Sequence, residues 1–169
     1  MALSLYDVGN WQKNTTYNIY DIYRYNGFYY TAIVKHNSGN VFNADYSDGV
    51  ISYNGISRPY FFFLPSYSSN VDIKPLVKET RFGDSYSQRA PDGVSSILLA
   101  FNVIFDKRND AQTRAILHFL HQRKSTESFV WIPPFPYNSQ KLFTCPSWKH
   151  TTIFQANHSI DCQFIESVT

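Results

Sequence analysis

Read only for apolar and polar positions, the chain changes period along its length. From Tyr20 to Val34, YDIYRYNGFYYTAIV, two runs of aromatic and β-branched residues flank Asn26-Gly27. Asn-Gly supplies both positive φ values of a type I′ turn, so this stretch predicts a β-hairpin. Asp48-Gly49 and Asn54-Gly55 punctuate the next twenty or so positions and predict tight turns between short strands, with no helix needed up to about residue 56. From 57 to 80 an apolar run, YFFFL, gives way to a Ser, Asn and Pro loop and then to an extended segment starting near Ile73, where Pro75 argues for a sheet edge. Ser96 to Phe105, SILLAFNVIF, is nearly all apolar and predicts a strand covered on both faces.

The period then becomes helical. Asn109 precedes DAQTRAILHFLHQRK, with Asp110 in the first turn, Ala111, Ala115, Ile116, Phe119 and Leu120 on one face, and Arg123 and Lys124 at the end. An N-cap, an apolar stripe and charges matched to the helix dipole predict a helix over about 110–123. Beyond it, Glu127–Ile132, Leu142–Cys145, Lys149–Phe154 and the alternating Ser159–Glu166 read as strands. The expected fold class is mainly β with one α-helix, divided into a small all-β module, 1–56, and a larger β domain carrying the helix, 57–169.

Composition sharpens this picture. Aromatic residues make up 18% of the 169 positions against 17% charged, which suits pleated surfaces and adhesive ones. The net charge of +2 is spread in ones and twos, unlike the clustered footprint that phosphate neutralisation needs, so nucleic-acid binding is not expected. No run approaches the ~18 apolar residues of a membrane span, and no apolar leader surrounds Leu3. Cys145 and Cys162 are too few to staple a fold, and reduced thiols made in a cytoplasm are expected.

Candidate chemistry is sparse. GxSxG, HExxH and GxxxxGK[ST] are absent, and no acid stands out as one of a catalytic pair, so neither enzyme activity nor a cofactor is expected. His118 and His121 share a helix face, and Cys145, His150, His158 and Cys162 lie downstream, but no CxxC or tight Cys/His pair occurs and no metal is expected.

One stretch looks like a signature. In RFGDSYSQRAPDG, Arg81 to Gly93, a Gly83-Asp84 turn sits between Phe82 and Tyr86, and Pro91-Asp92-Gly93 makes a second turn ahead of the long strand. Arg81, Asp84, Arg89 and Asp92 can pair with one another or with a neighbouring subunit. The stretch resembles the FGDGYxQRxxxGxN signature of the lambda-type phage minor tail protein family, with Ser85 in place of the second glycine and Ser95 in place of asparagine. The resemblance continues in order through SILLAFNVIFD, a helix ending in Phe119-Leu120, FVWIPP from Phe129 to Pro134, and FTCPSW with Phe143, Cys145 and Trp148, covering about residues 60 to 169. It implies a tail-tube-like β-sandwich or barrel with one helix, in a structural virion protein without catalytic role. The implied setting is a phage tail tip or baseplate, in a homo-oligomeric ring of six copies rather than three that joins the tail tube to the tip or hub. Arg81, Asp84, Tyr86, Arg89, Trp131 and Trp148 are the expected subunit-interface anchors.

The amino-terminal module adds to that pattern. Trp11, then Tyr25-Asn26-Gly27, then Tyr29, Tyr30 and Ala32 resemble a small chitin-type carbohydrate-binding module, without its final Trp. Trp11, Tyr25, Tyr29 and Tyr30 are therefore candidates for docking on a glycan or on another tail protein. The alternative function is a carbohydrate-binding accessory module of a host-adhesion device.

Overall fold

The computed structural model describes residues 4–5, 7–43, 51–53, 59–66, 70–73, 75–82, 86–93 and 97–167. The turns expected at Asp48-Gly49, Asn54-Gly55 and Gly83-Asp84 lie outside the described residues, as does Asp84 itself.

The amino-terminal part builds a four-stranded sheet from β1 (Gly9–Asn10), β3 (Ile22–Tyr25), β4 (Phe28–Ala32) and β6 (Ile51–Tyr53), in the order β1-β3-β4-β6. A two-stranded ladder of β2 (Thr16–Tyr17) and β5 (His36–Asn37) stands beside it. The β3–β4 hairpin turns at Asn26 and Gly27 with φ of 49° and 84°, the two positive values that the Asn-Gly pair was expected to supply. Against expectation, Phe42 and Asn43 are helical.

The hairpin register sorts its aromatics by face. Ile22 pairs with Thr31 and Arg24 with Tyr29, so these four share one face, while Tyr23, Tyr25, Phe28 and Tyr30 share the other. The second face packs on Phe42, with Tyr25 stacked on it at 4.0 Å and Tyr30 edge-on at 4.6 Å. The first face turns to the rest of the molecule, where Ile22 joins the main apolar core.

That core lies under a five-stranded sheet ordered β11-β12-β13-β10-β7, comprising β7 (Asn70–Ile73), β10 (Leu99–Arg108), β11 (Phe129–Trp131), β12 (Lys141–Phe154) and β13 (Asn157–Ser167). Among the described residues β7 and β11 are the two end strands and the sheet does not close on itself, so the sandwich-like alternative holds and the barrel does not. Helix α1 (Asp110–Arg123) covers one face, and Asn109 caps it by accepting from the Gln112 amide at 2.9 Å.

The long strand is not covered on both faces. Leu99, Phe101, Val103 and Phe105 are buried, whereas Ala100, Asn102, Ile104 and Asp106 are only half-buried. The small and polar alternates mark the outer face, a distinction hidden in SILLAFNVIF by Ala100 and Ile104. Phe61, from the segment that precedes the sheet, fills the centre of the core between Phe105, Phe119, Phe129 and Phe164, with ring centroids 5.2 to 5.7 Å away. Backbone bonds of 2.8 Å between residues 59–61 and Val130 hold it there. Pro146, which splits the sequence pattern, sits inside β12 at a bulge between Thr144 and Ser147, where an unpaired residue needs no ladder donor.

The two parts touch through the helix. Tyr29 meets the His118 ring edge-on at 4.8 Å, Gln112 donates to the Tyr20 hydroxyl at 3.3 Å, and the Arg114 guanidinium donates to the carbonyls of Ser4 and Asp7. Among the described residues no helix is long and apolar enough to cross a membrane.

Candidate subunit interface

The signature stretch lies on a separate two-stranded ribbon, β8 (Val77–Arg81) paired with β9 (Ser87–Pro91). All ten of its residues are exposed, so both faces of the ribbon meet solvent. Its base is closed by the Asp92 amide donating to the Leu76 carbonyl at 2.9 Å, and its far end by the Phe82 amide donating to the Tyr86 carbonyl at 2.8 Å.

Two features of this ribbon suit a protein partner. At its end Phe82 and Tyr86 lean together at 5.8 Å while remaining 50% and 64% exposed, and Leu76 and Val77 add apolar surface at the base. Along its length Glu79 sits opposite Arg89 and takes both arginines, Arg81 Nε at 3.2 Å and Arg89 Nε at 3.5 Å. The sequence pattern missed Glu79 as the shared acid, because only the strand register brings it across from Arg89. In water such pairs are worth under about 1 kcal/mol, so they hold the ribbon little and leave both guanidinium groups within reach of a partner's acceptors. An isolated two-stranded ribbon is at best marginal, and exposed aromatics at its tip are surface normally meant to be covered.

The two tryptophans differ from one another. Trp131 is 2% exposed and lies against Phe101, Phe143 and Phe164 at 5.1 to 5.2 Å. Its ring is core, which corrects its assignment as an interface anchor. Trp148 is half-buried, with its ring 5.4 Å from His121 beside the helix. Two surface depressions flank the sheet. One, of about 450 Å³, is lined by Asn102, Ile104, Lys149 and Asp161; an apolar one, of about 340 Å³, is lined by Phe62, Leu64, Ile132 and Pro134.

In the amino-terminal sheet, Trp11 packs edge-on to Tyr25 and Phe42, both at 5.7 Å. Tyr25 and Tyr30 also pack on Phe42, and Tyr29 is turned the opposite way onto His118. The four rings thus do not form one flat row.

The remaining candidate chemistry disperses. His118 is 3% exposed, and burial, with Arg114, Arg123 and His121 nearby, pushes its pKa down to about 4. Cys145 and Cys162 are free and buried. A hydrogen bond with Cys145 and burial push the Cys162 thiol well above the ordinary range, the reverse of an activated nucleophile. Among the described residues no group of three or more His, Cys, Asp or Glu side chains is placed to hold a metal ion.

A β-rich domain with one covering helix and a projecting, solvated ribbon has the build of a structural subunit. Residues 60–168 match the phage minor tail protein family, and the chain belongs to that family. It is thereby a structural component of a phage tail, carried in the virion. It is 36% identical over 74 residues to "Tail tip protein M" of Escherichia phage lambda, a match that covers 44% of this chain and 66% of that protein's length. A solved structure, the tail of an empty GTA particle computed with helical refinement and C6 symmetry, is 13% identical with a TM-score of 0.38, covering 60% of this chain and 75% of its own.

Proposed function

We propose that this protein is a tail-tip subunit that closes into a homo-oligomeric ring between the tail tube and the tip or hub, with the β8–β9 ribbon as its principal contact to neighbours. The observation that carries this reading is the ribbon itself: two paired strands wholly in solvent, ending in Phe82 and Tyr86 and flanked by Arg81 and Arg89. An arm on one surface that binds a different surface of the next copy makes a heterologous contact, which closes into a ring when the rotation allows. Six copies are what the tail-tube resemblance of the sequence implies. Residues 57–169 form the ring body in this reading. Residues 1–56 are an added module that docks on other tail proteins, and its aromatics, packed on one another, favour protein contact over a sugar platform.

Antibody labelling of this chain on intact, purified particles, viewed by electron microscopy, tests the reading. Label clustered at the far end of the tail is expected. Unlabelled particles whose denatured proteins also lack this chain would overturn it.

A further inference from the structure

The β12–β13 hairpin brings together two histidines that lie eight residues apart in the chain. His158 pairs across the ladder with Thr152, and His150 stands two residues further down the same face. Their rings approach at 5.1 Å with a tilt of 36°, and His150 Nε2 lies 3.1 Å from His158 Nδ1. The opposite nitrogen, His158 Nε2, is 2.7 Å from Oδ1 of Asp110 in the first turn of α1, and the Thr152 hydroxyl oxygen is 3.3 Å from His158 Nδ1.

From this geometry we propose that His150 Nε2 and His158 Nδ1 form a two-imidazole site for a borderline d-block divalent cation of the zinc or nickel class, with Asp110 as the carboxylate behind His158. Two observations support the assignment. His158 Nε2 lies 2.7 Å from Asp110 Oδ1, and the tautomer that donates there turns the Nδ1 lone pair to His150, the carboxylate–imidazole–metal arrangement in which the acid orients the ligand. Two nitrogens bound at about 2.0–2.1 Å to a tetrahedral ion lie roughly 3.3 Å apart, close to the observed separation.

Without the cation, the His150 Nε2 proton bridges the two rings. On binding, that proton moves to His150 Nδ1 through solvent, and both facing lone pairs coordinate, with no net change in charge on the protein. Water fills the other positions, with the Thr152 hydroxyl alongside. Imidazole donors favour zinc, nickel or copper over magnesium or calcium, and two of them give a site of modest affinity. The bound ion would tie the turn end of the β12–β13 hairpin, which exposes Ile153 and Phe154, to the start of α1.

The test is isothermal titration of the untagged full-length chain with zinc chloride and, separately, nickel chloride. One ion per chain is expected, with no binding of magnesium and a rise of a few degrees in melting temperature on adding zinc. His150→Gln and His158→Gln should each abolish the one-to-one binding, Asp110→Asn should weaken it about 10-fold, and His121→Gln should leave it unchanged. No stoichiometric binding, or binding that survives His150→Gln, would overturn the proposal. Should His158→Gln fail to fold, copper(II) paramagnetic resonance of the unaltered chain decides, because it must show nitrogen coupling that His150→Gln reduces.

Discussion

At the scale of single residues, side chains of the same aromatic class end in opposite environments. Trp131 and Tyr86 are both aromatic residues in β-type patterns, yet one lies among Phe101, Phe143 and Phe164 and the other is in water. Nothing local separates them, because what buries Trp131 is the pairing of β11 with β12 and the segment around Phe61. Phe61→Ala should therefore be among the costliest substitutions, about 3–5 kcal/mol in urea unfolding, since it empties the middle of four aromatic contacts. Gly27→Ala should cost about 1 kcal/mol through its positive φ alone, because no atom lies near where a Cβ would stand. His118 makes stability depend on pH. Its folded pKa of about 4 lies below the ordinary 6.5, so the unfolded chain takes up the proton first as pH falls. This contribution is complete above pH 6.5 and is lost as pH falls towards 4, a decline that His118→Phe should flatten in melting curves across that window.

At the scale of elements, the helix and the first hairpin were legible because their signals are local. Asn109, Asp110 and the apolar stripe mark α1, and Asn26-Gly27 marks the turn. Asn109→Ala should cost about 1 kcal/mol by releasing the Gln112 amide. The ribbon was legible only as two turns. Its strands, VKETR and SQRAP, have no apolar alternation, because neither face is buried against this chain. The role of its charges depended on register, which local pattern does not carry. Tyr86→Ala combined with Arg89→Ala should consequently leave unfolding free energy within ~0.5 kcal/mol of the parent while preventing incorporation into particles, measured by the amount of the chain in purified virions. Equal loss of both would mean that the ribbon serves folding instead.

For the molecule as a whole, the amino-terminal sheet and the ribbon make different demands. The sheet is tied to α1 through Tyr29, Tyr20 and Arg114 and contributes Ile22 to the main core. Tyr29→Ala should accordingly admit water to His118 and raise its pKa, visible in a proton NMR titration of the ring. Among the described residues the ribbon leans on nothing comparable. Among the described residues its ladder amides are shielded from water only by each other, so in the lone chain they should trade hydrogen for deuterium rapidly, and an endoprotease should cut there first. Seated against a neighbour, the same amides would become slow to exchange and resistant to cleavage. Should the ribbon dock as proposed, the rate at which residues 77–81 and 87–91 acquire protection would time the docking of each copy, without any label added to the protein.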